Sequence, residues 1–272
     1  MIPVHSRCLA ALVAVVLGAC AGSGALGRGK GRTAEDLYNH AMEDLKDGMY
    51  PEALSGFADV KTKYPYSKYA ALADLRTADT HYEQGKFVEA VDSYRQFIKL
   101  HPTHEEVPYA MLRIGEAYAE QAPDDYWFMP PSAEKDQANV RLAISAYQDL
   151  LDRYPKAEVA TKAKEKLQVC RKKLAQHELY VAGFYFKRDK WRAAAGRAEG
   201  LVRDYPGVGF DPEALWIAAR ARKQAGDEAE ARADAEKLVE KFPASSEAKD
   251  AKAFLKELPA AAPAATSTPR GG

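Results

Sequence analysis

Apolar residues recur in this chain with helical spacing, in a pattern that repeats along most of its length. In residues 85–102, GKFVEAVDSYRQFIKLHP, the apolar stripe falls at i, i+3, i+4, i+7 and i+11, which is one face of a helix. Pro102 ends this helix, because proline disfavours helical geometry at the residue before it. A similar stripe over residues 72–82 predicts a first helix, and Gly85 supplies the turn between the two helices.

The same helix pair occurs five times, and each copy ends at a proline. The prolines are Pro65, Pro102, Pro155, Pro206 and Pro243. Twelve residues before each proline stands an alanine: Ala53, Ala90, Ala143, Ala194 and Ala231. Five residues before each stands a larger apolar residue: Val60, Phe97, Leu150, Leu201 and Leu238. A helix pair this short cannot bury its apolar stripe alone, so neighbouring pairs must stack.

These repeats predict an all-α solenoid of about five helix-turn-helix units of tetratricopeptide type. Pro102 follows Pro65 by 37 residues, close to the tetratricopeptide period of about 34 residues. The expected units are residues 33–69, 70–106, 107–157, 158–210 and 211–258. A polar helix near residues 246–258 is expected to cap the stack. Residues 259–272 contain mainly Ala, Pro, Ser, Thr and Gly, a composition that predicts a disordered tail.

Unit three is longer than the units before it, and its composition indicates where the extra residues lie. Residues 121–137 contain three prolines, which predicts a loop at the edge of the solenoid. Tyr126, Trp127 and Phe128 on this loop are candidate partner-binding residues, because buried aromatic side chains dominate interface hot spots. The alternative is that these three residues pack back on the insertion as a small local core.

In unit four the added length is predicted to extend a helix. Residues 156–182 contain neither proline nor glycine, which favours one helix of about 28 residues and about 42 Å. Its apolar positions alternate in steps of four and three, as in a helix packed along another. They are Ala163, Leu167, Cys170, Leu174, His177, Val181 and Phe184. We expect Cys170 to be a small buried residue and His177 to be a hydrogen-bonded packing residue.

The beginning of the chain has the pattern of an export signal. An apolar run over residues 8–17 is too short to span a bilayer permanently and ends at small residues. The motif LGAC that follows resembles a bacterial lipoprotein signal, which implies that residues 1–19 are removed and Cys20 is acylated. An ordinary secretory signal is the alternative. The glycine-rich residues 20–32 are predicted to form a flexible, lipidated tether. Ala21 follows Cys20, and the resemblance to bacterial lipoproteins implies that a chain without Asp at this position is anchored in the inner leaflet of the outer membrane, facing the periplasm.

Charge and motifs argue against several function classes. The chain has 39 Lys plus Arg and 39 Asp plus Glu, a balance that argues against nucleic-acid binding. It has no HExxH, paired CxxC, phosphate-loop or serine-elbow motif. His101, His104 and Glu105 have metal-ligand chemistry, but His101 occupies the aromatic position before a repeat proline, which favours a structural role. We therefore predict a binding protein without catalytic residues, metal or cofactor.

Several features together resemble the BamD family of outer-membrane protein assembly lipoproteins, also called ComL or YfiO. They are the lipoprotein signal, the tether, the five units and the segment HELYVAGFYFKRDKWRAAAGRAEGLVRDYP at residues 177–206. The resemblance covers residues 33–243 and implies a non-enzymatic subunit of the machinery, called BAM, that inserts β-barrel proteins into the outer membrane. It also implies that N-terminal repeats receive signals of unfolded barrel proteins. C-terminal repeats would bind the periplasmic domain of BamA, and other BAM lipoproteins are further expected partners.

This resemblance places the first helix of each unit on the concave face and gives two sets of candidate residues. A groove for an extended peptide with an aromatic end would use Tyr38, Met42, Leu75, Asp79 and Tyr82. The BamA contact would use Trp191, Arg197 and Glu199, although Trp191 aligns with Phe87 and has a core interpretation as well. The competing function is a periplasmic tetratricopeptide scaffold that coordinates cell-wall synthesis with envelope constriction. Proteins of that group usually carry a trimerising coiled coil before the repeats, which residues 21–32 cannot form.

Overall fold

The protein is an ordered series of helical hairpins. A computed structural model describes residues 32–124 and 131–259, which form eleven α-helices, a short 3-10 helix at Ser132–Glu134 and no β-strand. The α-helices are α1 (Ala34–Lys46), α2 (Tyr50–Lys63), α3 (Lys68–Glu83), α4 (Phe87–Leu100), α5 (Val107–Glu120), α6 (Ala138–Arg153), α7 (Ala160–Phe186), α8 (Trp191–Asp204), α9 (Asp211–Ala225), α10 (Glu228–Lys241) and α11 (Ser246–Glu257). Each helix packs against the next one in the chain. The predicted all-α solenoid of five hairpins is confirmed, and α11 follows as a final helix.

The repeat prolines set the end of the second helix in every unit. The residue before each proline follows the last helical residue and has φ between −135° and −128° and ψ between 50° and 57°. These residues are Tyr64, His101, Tyr154, Tyr205 and Phe242. The conformation lies outside the helical region, as expected for a residue that precedes proline.

The turn inside a unit needs one residue with left-handed backbone geometry. Gly48, Gly85 and Gly226 supply it in units one, two and five, with φ of 75°, 71° and 84°. Unit four has Asp189 at this position, with φ of 59°. Aspartate tolerates this region better than most non-glycine residues. Unit four therefore keeps the same turn without the glycine that marks it in the other three units.

The repeated alanines lie where the two helices of a unit meet. All five, Ala53, Ala90, Ala143, Ala194 and Ala231, are completely buried, and so are the larger residues seven positions later. Four positions after each alanine stands another completely buried residue. These are Phe57, Tyr94, Tyr147, Ala198 and Ala235. Units one to three thus fill the space beside the alanine with a ring, whereas units four and five fill it with a methyl group.

Helix α7 has 27 residues and confirms the prediction of one long helix in unit four. Its predicted apolar seam is correct at Cys170 and Leu174, which are 5% and 4% exposed, but wrong at Phe184, which is 40% exposed. The buried face passes instead to Ala182. A strict seven-residue pattern drifts by about 20° per heptad on a straight helix, so the stripe turns away from its neighbour after three heptads. The guanidinium of Arg188 covers the exposed ring, 3.5 Å from its centroid.

The described flanks of the unit-three insertion lie along α7. The Oδ1 atom of Asp124 accepts a hydrogen bond of 2.9 Å from Lys173 Nζ. The Nδ1 atom of His177 donates to the carbonyl oxygen of Ala133 at 2.7 Å. His177 is therefore a hydrogen-bonded packing residue, as predicted, and it holds the insertion rather than the helix seam alone.

Packing of α5 on α6 depends on a glycine. A Cβ atom placed on Gly115 would lie within 3.0 Å of three ring atoms of Tyr147, a side chain that is completely buried. Tyr147 has no room to move, because it fills the space beside Ala143 in the same hairpin. Only glycine at this position lets the two helices approach closely enough to enclose the ring.

We expect Gly115→Ala to lower the free energy of unfolding by about 1–3 kcal/mol, because the added methyl group overpacks the interface. This loss outweighs the gain of about 1 kcal/mol that alanine brings to a helix interior. Urea unfolding followed by far-UV circular dichroism measures the difference. Gly183→Ala in α7 is the matched control: an added Cβ meets nothing within 4 Å there, so stability should rise. A Gly115→Ala protein that unfolds at higher urea concentration than wild type would contradict this account.

Candidate binding surfaces

The first helices of the units form one side of the stack. In addition to their hairpin partners, α1 contacts α3, α5 contacts α7, α7 contacts α9, and α9 contacts α11. No comparable contact joins two second helices in residues 32–124 and 131–259. Helices that approach one another more closely lie on the inside of a curved stack. The first helices thus form the inner face, and the second helices form the outer face.

The five candidate residues for the signal groove lie on α1 and α3, but the structure treats them differently. Leu75 is completely buried in the core, so its side chain lines no groove, and the prediction is wrong for this residue. Its side chain belongs to the core cluster that also contains buried residues of α4 and α5. Tyr38 and Asp79 are 9% and 6% exposed, whereas Met42 and Tyr82 are half-buried and remain accessible.

Asp79 is the centre of a buried hydrogen-bond network rather than a free carboxylate. Its Oδ1 atom accepts from the hydroxyl of Tyr94 and, at 3.0 Å, from the hydroxyl of Tyr109. Its Oδ2 atom lies 2.5 Å from Nη1 of Arg76, which also donates through Nε to the Tyr38 hydroxyl at 3.3 Å. Burial raises the pKa of Tyr94 and of Tyr109, so both hydroxyls stay protonated and donate. The network joins α1, α3, α4 and α5.

Arg113 on α5 extends this network and holds Tyr82 in place. Its guanidinium carbon lies 3.6 Å from the centre of the Tyr82 ring, within the range of a cation–π contact. The same guanidinium forms ion pairs of 3.1 Å with Glu83 and with Glu116. Burial raises the pKa of Tyr82 to about 12, so its hydroxyl is neutral at physiological pH. Tyr82 is thus a fixed, uncharged aromatic residue on the inner face.

The sequence carries a signal for this network that the apolar pattern did not reveal. Arg76 and Asp79 are three residues apart, and Arg113 and Glu116 repeat that spacing 37 residues later. Residues three apart share a helix face, so each pair can close an ion pair on the inner side. A charged pair that recurs at the unit period predicts a row of ion pairs along the inner face, here called the inner polar ladder. The pattern of apolar residues alone does not reveal these charged residues.

Arg197 and Glu199, both candidates for the BamA contact, point to different neighbours. Nη1 of Arg197 lies 3.0 Å from Oε2 of Glu178 on α7. Glu199 instead forms an ion pair with Arg222 on α9. Residues two apart on a helix do not face the same side. The structure therefore does not bring Arg197 and Glu199 into one patch. The ion pair of Glu199 with Arg222 instead connects unit four to unit five.

Trp191 closes the turn of unit four. Its ring packs edge-on against Phe186, with 5.0 Å between the ring centres. Phe87 makes the same contact with Tyr82 in unit two, at 5.2 Å and with the same sequence separation. This repeated geometry supports the core interpretation of Trp191, which is half-buried.

A groove of about 400 Å³ runs beside Arg197, between α7 and α8. Tyr185 and Tyr205 contribute its rings, and Glu178, Arg197, Arg203 and Asp204 contribute its charges. Small residues of α8 keep the groove open. This surface contains one of the three unit-four candidates, Arg197, in an accessible position.

Some candidate residues lie outside the described part of the chain. They are Cys20 and the signal that precedes it, most of the tether, residues 126–128 of the insertion, and the tail after residue 259. No helix in residues 32–124 and 131–259 is both long and apolar enough to cross a membrane. Within those residues, no group of three His, Cys, Asp or Glu side chains is arranged to hold a metal ion. His101 lies 3.0 Å from Asp74 and ties α4 to α3.

Stacked helical hairpins with an inner polar ladder and an open groove define a helical repeat protein of tetratricopeptide type. A family model described as "YfiO: Outer membrane lipoprotein" matches residues 30–238. The chain belongs to this YfiO family of outer membrane lipoproteins, and the resemblance noted in its sequence is confirmed.

Curated relatives extend over most of the chain. A protein of Xylella fastidiosa (strain Temecula1), "Outer membrane protein assembly factor BamD", is 32% identical over 200 residues, 72% of this chain and 68% of that protein. The protein of the same name in Caulobacter vibrioides is 30% identical over 241 residues, 86% of this chain and 76% of that protein. Among solved structures, the "TPR2AB-domain:pHSP90-complex of yeast Sti1" is similar with a TM-score of 0.42 at 17% identity, over 82% of this chain and 83% of that one.

The inner network makes a prediction for stability. We expect Asp79→Asn to lower the free energy of unfolding by about 2–4 kcal/mol, because the change leaves the part-buried Arg76 without its charged partner. Asp59→Asn is the matched control, since Asp59 and its partner Lys63 are about half exposed and such pairs contribute about 0–1 kcal/mol. Chemical denaturation of both variants tests this. Equal losses in the two variants would show that the network does not stabilise the fold.

Proposed function

We propose that this chain is a non-catalytic lipoprotein subunit of the outer-membrane β-barrel assembly machinery. The observation that carries the proposal is the family match over residues 30–238, which covers nearly all of the five hairpins. The curated relatives with the same coverage are named outer membrane protein assembly factors. A stack of helix pairs with extended side-chain surfaces acts by holding other polypeptides, which suits a subunit that receives and positions them.

The proposed anchor is the acylated Cys20, left at the start of the mature chain after removal of residues 1–19. The apolar run, the LGAC motif and the family description as an outer membrane lipoprotein support it. Each buried methylene of an acyl chain contributes about 0.8 kcal/mol, and two or more chains together anchor a protein stably. The junction with the solenoid is fixed, since Asp36 and Thr33 form a capping box at α1 and Tyr64 donates to the carbonyl of Arg32.

The proposed receptor for barrel-protein signals is the inner face around Tyr82 and Met42. Both side chains are accessible, and Tyr82 is held by the guanidinium of Arg113 in a single orientation. A preorganised ring costs little conformational entropy on binding, so it is a good contact for the aromatic end of an unfolded segment. Tyr38 and Asp79 lie beneath the surface of this site, and both accept hydrogen bonds from Arg76.

The proposed BamA contact is the groove beside Arg197. Its charged and aromatic lining resembles the mixed surface of a folded-protein interface more than that of a peptide groove. Arg197 is half exposed, and the N–H groups that do not face Glu178 can bind an acid on BamA. The aromatic segment at residues 126–128 and other BAM lipoproteins are further proposed contacts.

The signal site predicts an effect of Tyr82→Ala on peptide binding. We expect the affinity for a C-terminal peptide of an outer-membrane barrel protein to fall by about tenfold, equivalent to about 1.4 kcal/mol, because an anchoring ring is removed. Pull-down or fluorescence anisotropy with the purified chain measures it. Tyr66→Ala is the control, since Tyr66 is fully exposed on the corner between α2 and α3 and should not matter. If the Tyr82→Ala chain binds the peptide with unchanged affinity, the proposed signal site is wrong.

The BamA contact predicts the loss of a partner in Arg197→Glu. We expect wild type purified from solubilised membranes to retain a large barrel protein and Arg197→Glu to lose most of it, because the charge reversal repels an acidic partner. Arg192→Glu is the matched control, an exposed arginine of α8 outside the groove. The intact mass of the same wild-type sample should correspond to a chain that starts at acylated Cys20. Recovery of cell-wall synthesis proteins in place of a barrel protein would favour the scaffold function instead.

A further inference from the structure

The outer face of the stack has an open apolar groove between α4 and α6, with α5 as its floor. Its volume is about 400 Å³. The larger apolar side chains that line it are Ile98, Met111, Ile114, Tyr118 and Leu142. Leu142 is 44% exposed, and with the other four side chains it forms a contiguous apolar patch rather than a single exposed residue. This groove is on the opposite side of the stack from Tyr82 and separate from the groove beside Arg197.

The junction one unit earlier shows that stacking does not require an apolar floor at this place. The residues 37 positions before Ile98 and Met111 are Lys61 and Asp74. Their side chains form an ion pair of 3.1 Å, and His101 approaches Asp74 from the next helix at 3.0 Å. The earlier junction is therefore closed by polar groups that satisfy one another. At the later junction, Ile98 and Met111 stand in place of Lys61 and Asp74. These apolar side chains form no ion pair, and the groove above them stays open.

The wall of the groove also carries an apolar residue at a position that is usually polar in the other units. Leu142 stands thirteen residues before its repeat proline, and the residues at this position in the other units are Glu52, Glu89, Ala193 and Glu230. Glutamate in three units shows that the position normally faces water. Leu142 is 44% exposed and does not belong to the hydrophobic core cluster that contains Ala143, Tyr147 and Leu150 of the same helix. Together with Ile98, Met111, Ile114 and Tyr118, it lines a contiguous apolar groove, and contiguous apolar surface of this kind marks a place where another molecule binds.

The charges at the rim indicate the chemistry of that molecule. Arg95 lies on one wall and donates to the Tyr118 hydroxyl at 2.9 Å, which leaves its other N–H groups available. Arg153 lies on the other wall and pairs with Asp149 at 3.3 Å. Both side chains of that pair are about half exposed, so it contributes little and can be exchanged. Asp149 is the one acid of the lining, and the rim therefore favours a partner that carries carboxylates.

We propose that this groove binds an amphipathic helical segment of another protein, with apolar side chains at i, i+3 or i+4, and i+7 and with carboxylates placed toward Arg95 and Arg153. The lining of α6 extends from Leu142 to Arg153, about 16 Å or three helical turns. Helix backbones form the walls and floor of the groove, and their N–H and C=O groups are already paired, so the groove offers side chains only. A helix satisfies its own backbone and offers only side chains, as this surface does.

The test uses the purified full-length chain and two labelled peptides of about 15 residues with the same leucine face. One peptide has glutamates beside that face, and the other has lysines. In fluorescence anisotropy at low salt, the glutamate peptide should bind at least about tenfold more tightly than the lysine peptide. Leu142→Glu, which introduces the residue that unit two carries at this position, should weaken binding of the glutamate peptide by about tenfold or more.

The matched control is Val169→Glu on α7, which also adds a carboxylate at a half-exposed apolar position but lies outside the groove. It should bind the glutamate peptide as wild type does. Circular dichroism checks that the variants fold, and Leu142→Ala serves if Leu142→Glu does not fold, with an expected loss of about threefold. Equal binding of the two peptides, or equal binding by the Leu142 variants and wild type, would overturn the proposal.

A photoreactive side chain at position 142 identifies the occupant in cells. The proposal expects a crosslink to one segment of a different protein that has helical apolar spacing and flanking acids. A crosslink to lipid, to a second copy of this chain or to a segment without those features would overturn it. The same side chain at position 169 gives the background. The peptide assay does not involve barrel-protein assembly. The proposed helix-binding groove can therefore be rejected while the proposed function stands, and the proposed function can be rejected while the groove stands.

Discussion

The whole structure depends on the close contact of two short helices at a buried alanine. With a methyl group on one helix, the other can approach until its larger side chains interlock beside it, as Tyr147 does beside Ala143 and opposite Gly115. A pair joined in this way still exposes an apolar stripe on each side. Burial of those stripes requires another pair, so the contact inside one unit sets the order and direction of the whole stack.

The inner face adds a second constraint, which is polar. Asp79, Arg76 and Arg113 are charged groups at the junctions between units, and each finds several hydrogen-bond or ion-pair partners there. Such a network tolerates little slippage between units, because an unpaired charge in a part-buried position is costly. It also leaves Tyr82 as an oriented ring at the surface. The same residues that fix the register of units one to three thus shape the surface proposed to receive barrel-protein signals.

Departures from the repeat divide into two kinds. Asp189 in place of the turn glycine and Ala198 in place of a ring keep the geometry of the unit, since Asp189 still adopts the left-handed conformation and Ala198 is still completely buried. Leu142 in place of a glutamate instead adds exposed apolar surface at a position that is polar in three other units. Only the second kind points to a partner. A repeat protein is unusual in offering this comparison internally, because its other units show what packing alone requires.

The sequence by itself determined the helices, their pairing, the long helix of unit four and the alanine that recurs in every unit. These follow from local spacing, proline positions and burial, all of which are read within one unit of the chain. The tertiary structure alone decided that Leu75 is core, that Asp79 is saturated by Tyr94 and Tyr109, and that Arg197 and Glu199 face different helices. The physical reason is that exposure and partner choice depend on side chains brought together from several helices. Apolar periodicity says which face of a helix turns inward, but it does not say which neighbour a polar group meets there.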